Sequence, residues 1–265
     1  MTKRILAILL SLCILFCTVL TFADEWDDDW GDDDFGDEEL DDEDFESESD
    51  TKDFRTIAGY DTGEKYTYEQ FTYQLTQDGK NAVMIGYSGD SADVVIPDTV
   101  DGYPVIAIGA SMFAYKDYVR TVQIPEGVLS IGNMAFFKCS KLESIVIPEG
   151  ITFIDEACFG GCESLVEVQF PESLQEVGHF GFLSCLKLTE VSFPAGLKAI
   201  GSGAFQLCAS LSKVSLPGGD NVTIEADSLL GCSPDLQITD EKNTTPGIGL
   251  NEGPGCFVFI LLITE

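Results

Sequence analysis

The sequence has little positive charge. Lysine and arginine total 14, against 46 aspartates and glutamates, and the formal net charge is −32. Asp24–Asp53 contributes 19 of those acidic residues, and the rest of the chain also carries an excess of acid. Such a surface repels the phosphate backbone of nucleic acids, so nucleic acid is excluded as a partner.

The residue patterns of common active sites are also missing. His179 is the one histidine, and the sequence places no serine or cysteine nucleophile beside it. The nine cysteines form no C-x-x-C pair, and no glycine-rich loop ends in Gly-Lys-Ser/Thr. The sequence therefore predicts a protein that is not an enzyme and that holds no metal and no cofactor.

The sequence does contain one motif that is repeated six times between Val94 and Ile238. Each copy is centred on a proline that follows an apolar pair. The prolines are Pro97, Pro125, Pro148, Pro171, Pro194 and Pro217; the last five are 23 residues apart, and Val100–Pro104 lengthens the first interval by five. A fixed period of this length is the signature of a repeat protein.

Aligning the copies gives columns of identical or similar residues. Eleven, fourteen and seventeen residues after the four central prolines stand phenylalanine, cysteine and leucine. The columns are Phe136, Phe159, Phe182 and Phe205; Cys139, Cys162, Cys185 and Cys208; and Leu142, Leu165, Leu188 and Leu211. One copy has too little apolar surface to close a core, so the copies must stack and bury these columns together.

The repeated motif, as in KLESIVIPEGITFIDEACFGGC, resembles the BspA-like class of leucine-rich repeats. That class reads L-x-x-V-x-I-P-x-G-V-x-x-I-x-x-x-A-F-x-x-C, and the resemblance covers about residues 71–238. It implies a curved, β-dominated repeat solenoid with one short strand per 23-residue repeat on its concave face. The remainder of each repeat is expected to form turns, with a short helical turn at the Ala-Phe-x-x-Cys portion. The resemblance also implies adhesion to host or neighbouring-cell proteins.

The amino-terminal residues read as a secretory signal. In residues 1–23, Lys3 and Arg4 precede an uncharged apolar run, and small residues stand at a cleavage position. The run of 18 residues is at the lower margin for a spanning helix, so an uncleaved anchor is the alternative and the only expected membrane contact. The prediction is a secreted or cell-surface protein.

Residues 24–53 form an acidic segment in which Trp30, Phe35, Leu40 and Phe45 recur every five residues. A period of five makes no apolar stripe on a helix, and the like charges repel, so we expect this segment to be disordered. It serves either as a solvated spacer or as an acidic-aromatic segment that binds a cationic partner or, weakly, calcium.

The two ends of the solenoid need caps. Residues 54–93 are the expected amino-terminal cap, because the strand-like runs Tyr68–Leu75 and Asn81–Tyr87 flank an Asp-Gly turn signal. The repeats at 94–238 are followed by a Gly/Pro-rich linker at 239–255 and an apolar segment at 256–265. Eight apolar residues, Cys256–Ile263, are too few to span a bilayer as a helix. They form either a capping strand or the start of a membrane or wall-sorting tail.

The cysteine column is expected to consist of free thiols. Cysteines on stacked strands lie about 4.8 Å apart, whereas the Cβ atoms of a disulfide lie about 3.8 Å apart. The five members, Cys139, Cys162, Cys185, Cys208 and Cys232, also cannot all pair with one another. We interpret them as buried small hydrophobic residues.

The predicted interaction surface is made of strand residues that alternate outward from the buried pair. Stacked strands present these side chains in register and form a broad patch of mixed character. Such a patch suits contact with a protein better than binding of a small molecule. Because the patch lacks aromatic or arginine anchors, its affinity for a protein partner should be modest. The patch comprises Gln123, Val146, Glu167, Gln169, Glu190, Ser192, Lys213 and Ser215. The function predicted is non-catalytic protein–protein interaction or adhesion with extracellular, host or neighbouring-cell proteins. The alternative is a structural component of the cell envelope without a dedicated ligand.

Overall fold

In a computed structural model, residues 63–218 and 222–240 are described. The expected signal peptide at 1–23, the acidic segment at 24–53, the first part of the cap at 54–62, most of the linker and the apolar segment at 256–265 lie outside these residues. The described residues form a β-solenoid of about seven turns, each of which we call a rung. They contain seventeen strands and no helix, so nothing in them could cross a membrane as a helix.

The main ladder consists of parallel strands in two sheets, because β11 and β13 are not paired, and its first six strands end just before the repeated prolines. Its members are β4 (Asp93–Val95), β7 (Thr121–Gln123), β9 (Ser144–Val146), β11 (Glu167–Gln169), β13 (Glu190–Ser192), β15 (Lys213–Leu216) and β17 (Gln237–Asp240). In β9, β11 and β13 the central residue is buried and its two neighbours are exposed, which is the alternation the sequence predicts. Strand β17 extends two residues into the stretch expected to be linker.

A second parallel ladder, which the prediction of one strand per repeat did not include, lies after the prolines. Its two-residue strands are β8 (Ser130–Ile131), β10 (Phe153–Ile154), β12 (Glu176–Val177), β14 (Ala199–Ile200) and β16 (Thr223–Ile224). Each contributes one buried aliphatic side chain to the core, six or seven residues after the proline. The backbone therefore pairs between neighbouring rungs on two sides of the solenoid, with one break in each ladder, between β11 and β13 and between β8 and β10.

The expected short helical turn is wrong, because two residues have a left-handed backbone in five of the six described turns, and one residue does in the last. In the fourth repeat these are Phe180 and Ser184, with φ of 55° and 56°. The N–H groups then alternate in direction. Phe182 and Ser184 donate to carbonyls of the next rung at 2.7 and 2.8 Å, whereas Leu183 donates back to Phe180 at 2.9 Å. In a helix every backbone N–H would point along the helix axis. Here alternate N–H groups instead form a third set of hydrogen bonds between neighbouring rungs.

The phenylalanine column is buried as predicted, and its rings stack. Phe113, Phe136, Phe159, Phe182 and Phe205 have no exposed surface, and successive ring centroids are 5.1–5.2 Å apart with planes 4–9° from parallel. Phe170 and Phe193 form a shorter stack, 5.0 Å apart, that meets this column edge-on. A continuous stack of aromatic rings therefore runs through the core.

The cap carries the aromatic column past the first repeat. Strands β2 (Phe71–Leu75) and β3 (Ala82–Tyr87) pair antiparallel around the Asp-Gly turn, where Gly79 has a φ of 67°. Strand β1 (Tyr66–Tyr68) folds back on β2 through Glu69, so the run Tyr68–Leu75, predicted as one strand, is divided by a turn. Tyr87 continues the ring stack 5.3 Å from Phe113.

The five inserted residues form a small hairpin that the cap holds in place. Strands β5 (Thr99–Val100) and β6 (Tyr103–Ile108) pair antiparallel across Asp101 and Gly102, both left-handed, and β6 joins β3 to β8 in parallel. The Tyr73 hydroxyl donates to the Asp101 carboxylate at 2.6 Å. The cap sheet therefore extends to β8, the first strand of the second ladder, whose other strands form a separate sheet.

The six described cysteines are free thiols, five of them buried. Each ladder thiol donates to the carbonyl of a phenylalanine in the preceding rung, at 3.0–3.3 Å. Cys185, for example, lies 3.3 Å from the Phe159 oxygen. The cysteine column therefore supplies a weak hydrogen bond from each rung to the rung before it.

Thiol labelling tests this arrangement. Without reductant, we expect the ladder cysteines of the native protein to resist alkylation and all five to react after unfolding, because burial alone shields them. The measurement is the mass increase on alkylation, with and without denaturant. A requirement for reductant before most of them react would mean that disulfides have formed in spite of the spacing.

Stability should fall in alkaline solution. Burial raises the pKa of Cys139 from 9.0 to about 12, and burial, followed by the hydrogen bond to Asp101, raises the pKa of Tyr73 from 10.0 to about 12. The folded state retains these protons after the unfolded state has lost them, so stability is present below the unfolded pKa values and declines as pH rises toward 12. Urea midpoints measured from about pH 8 upward should decrease steadily. A flat profile to about pH 11 would contradict the burial of these groups.

Candidate protein-interaction surface

The outward-facing residues of the main ladder extend over both of its sheets and form the surface that we call the strand face. It comprises the first and third residues of β4, β7, β9, β11, β13, β15 and β17. Pairing aligns them across the rungs: Ser144 lies opposite Glu167, and Val146 lies opposite Gln169. Further along, Glu190 pairs with Lys213 and Ser192 with Ser215. The sequence-predicted residues thus lie in two columns on one side of the solenoid.

The predicted residues are exposed, with one exception. Gln123, Val146, Glu167, Gln169, Glu190, Ser192 and Lys213 all present their side chains to solvent. Ser215 is half-buried, because the Thr239 hydroxyl in the next strand donates to its oxygen at 3.3 Å. The ladder continues one strand beyond the last predicted residue, and that strand reduces the accessible surface of Ser215.

The predicted set omitted the most exposed apolar side chain of the same columns. Val95 in β4 is 60% exposed, close to the 55% of Val146, and it pairs with Gln123. Its signal was present in the sequence, since Val95 stands two residues before Pro97 as Val146 stands two before Pro148. Val166, just before β11, adds a third exposed valine. The strand face therefore contains small apolar anchors.

The charges on this face are exposed and weakly paired. Lys213 and Glu190 are 3.8 Å apart, and Arg120 lies 3.2 Å from Asp93. The Thr121 hydroxyl, with Arg120, lowers the pKa of Asp93. Gln169 donates to Glu167 at 2.8 Å. Exposed pairs of this kind contribute little to stability, so these residues can be replaced without unfolding the ladder.

The histidine and the buried cysteines of the described residues make structural contacts. The described part of the chain contains no cluster of three or more histidine, cysteine or acidic side chains that could hold a metal ion. His179 is exposed, and its Nδ1 accepts a hydrogen bond from the backbone N–H of Ser202 at 3.2 Å. It is therefore a hydrogen-bonded surface residue. Burial raises the pKa of the Cys158, Cys162 and Cys185 thiols well above the usual value, which suppresses the reactive thiolate.

Comparison with known proteins agrees with this repeat architecture. Residues 106–237 match the BspA type leucine-rich repeat region in six copies. A leucine-rich repeat protein of T. pallidum is 33% identical, with a TM-score of 0.59 over 67% of this chain and 84% of that one. One from Bacteroides ovatus is 27% identical, with a TM-score of 0.57 over 66% of this chain and about half, 52%, of that one. A search of curated proteins finds no significant match.

Proposed function

Because the chain belongs to the BspA-type leucine-rich repeat family, we propose that it is a secreted or cell-surface, non-catalytic interaction protein that adheres to proteins of a host or neighbouring cell. The proposal assigns binding to the strand face. The observation that carries it is the register of the main ladder, which aligns exposed side chains such as Val146 and Gln169 across successive rungs. Leucine-rich repeat solenoids offer an extended binding surface of this kind.

The composition of the strand face supports a protein partner over a small ligand. Its residues are mixed in character, and they lie on a ladder of strands. Small-molecule sites are instead enclosed, mostly apolar pockets. Val95 and Val146 supply apolar contact, while Glu167 and Glu190 supply charge. Charged residues at the rim of an interface act mainly on the rate and specificity of association, and modest affinity is expected from a surface without aromatic or arginine anchors.

A pair of arginine substitutions tests the assignment. The mature protein would first capture a partner from matrix and cell-surface extracts. Gln169→Arg with Ser192→Arg should then weaken binding to that partner about tenfold or more, because two long cations obstruct the middle of the surface. Asn133→Arg with Gln206→Arg makes the same change of charge on the turn side and should leave the affinity unchanged. Affinity is read by surface plasmon resonance.

A second variant separates the strand face from the acidic segment. Deletion of Asp24–Asp53 should leave binding intact. If the deletion abolishes binding and the strand-face arginines do not, the acidic segment is the binding element. If both variants bind normally, the strand face does not bind the partner, and the alternative function, a structural component of the cell envelope, is favoured.

A further inference from the structure

The carboxyl-terminal end of the solenoid leaves part of its core uncovered. In the rung before the last, Phe205, Cys208, Leu211 and Val214 are at most 1% exposed. Their counterparts in the last rung, Leu229, Cys232, Leu236 and Ile238, are only partly buried against the same core. Leu230 beside them is 43% exposed. The end of the core is therefore an apolar face bounded by β16 and β17.

Some backbone N–H groups at this end also lack a hydrogen-bond acceptor within the described residues. In an interior rung, Phe180, Phe182 and Ser184 donate N–H groups to Ser202, Ala204 and Gln206 of the next rung at 2.7–2.9 Å. The matching donors of the last rung include Leu229 and Gly231, whose N–H groups meet no acceptor within the described part of the chain. Strand β17 likewise pairs with β15 along one edge alone. Such an edge is a template for a further strand.

The chain carries a segment suited to this position. Cys256–Ile263 has eight residues, all apolar, and most of them are aromatic or branched types that favour strands. Fifteen residues, 241–255, separate it from Asp240. A crossover to a parallel strand requires about a dozen residues or more, so this linker is long enough to return the chain to the edge of β17.

We propose that Cys256–Ile263 docks as a further strand beside β17 and covers the open end of the core. Alternate residues of the segment would then pack on Leu236 and Ile238, as each interior strand packs on its neighbour. The other row would extend the strand face with apolar side chains. The backbone of the segment would also supply carbonyl acceptors to the free edge of β17, whose own donors have no partner in the described residues.

Cys232 is a built-in reporter of this docking. It is the half-buried member of the cysteine ladder, and its Sγ donates to the Phe205 carbonyl at 3.2 Å. A covering strand should shield it, whereas Cys185, deep in the stack, stays shielded in either case. The mature chain with Cys256→Ser removes the thiol of the segment itself, so alkylation of Cys232 can be followed by peptide mass spectrometry.

The comparison is between this chain and one that also carries Ile260→Lys and Leu261→Lys, which are adjacent and therefore place charge in both rows of the strand. We expect alkylation of Cys232 and hydrogen exchange at the outward-facing β17 amides, Ile238 and Asp240, to accelerate about tenfold in the lysine variant, while Cys185 stays protected. A second variant, Phe259→Pro, interrupts strand pairing without adding charge and should behave similarly.

Three results would overturn the proposal. Equal rates in all chains would show that the segment does not cover the end. Protection that weakens on dilution, together with a dimeric mass in light scattering, would assign the end face to a second copy. Binding of the segment to phosphatidylcholine vesicles, with Cys232 equally reactive in all chains without lipid, would identify a membrane-seeking tail.

Discussion

Replacing Phe182 with alanine is expected to lower the free energy of unfolding by about 3–5 kcal/mol, the usual cost of deleting a buried phenylalanine ring. Phe182 has no exposed surface and stacks on Phe159 and Phe205 at 5.1 Å, while Phe170 meets it edge-on at 5.7 Å. One substitution therefore removes ring contacts to the rungs on both sides.

The measurement is urea denaturation of the wild type and the variant. Leu186→Ala, an exposed leucine in the same rung, is the matched control and should change stability by less than about 0.5 kcal/mol. Because each rung contacts only its neighbours, Phe182→Ala should also separate the transition into two steps. A single transition shifted by less than about 1 kcal/mol would contradict a core held together by the ring stack.

Ser184→Pro should be similarly severe, with a loss of about 3 kcal/mol or more. Proline fixes φ near −65°, whereas Ser184 has a φ of 56°, and its N–H is bonded to the Gln206 carbonyl at 2.8 Å. The substitution therefore both forbids the native backbone and removes a hydrogen bond between rungs.

Ser184→Gly is the informative companion, because the sign of its effect depends on the backbone. In a left-handed position a non-glycine residue carries strain of about 1–2 kcal/mol, so glycine should be neutral or stabilising. In a helical turn glycine would destabilise by several tenths of a kcal/mol or more. Gly161 and Gly231 occupy the same column with φ of 75° and 77°, in agreement with the first expectation. A clear loss of stability in Ser184→Gly, measured by urea denaturation, would restore the helical interpretation.

The repeat period predicted the main ladder and its core because each buried column recurs at a fixed spacing. The phenylalanine and leucine columns were predicted for this reason, and both are buried. The second ladder was missed because each of its strands has two residues, such as Phe153–Ile154, which is too short to show alternation. The left-handed turns were missed because glycine stands at these positions in only some repeats, while Met134, Lys138 and Leu207 occupy them in others.

The strand face was predictable to the extent that strand geometry is regular. Alternation placed Val146 and Gln169 on the exposed side from sequence alone, and the structure finds them there. Val95 was omitted because the insertion after Pro97 sets the first repeat apart from the others. The half-burial of Ser215 depends on Thr239, in a strand that the repeat spacing did not predict to extend so far.

Site-specific photocrosslinking tests most directly the claim that partners bind the strand face. A benzoylphenylalanine placed at Gln169, opposite the exposed Val146, should crosslink the captured partner on irradiation. The same probe at Gln206, on the turn side of the solenoid, should not. Crosslinking from Gln206 but not from Gln169 would contradict the account and place the interaction on the turn side.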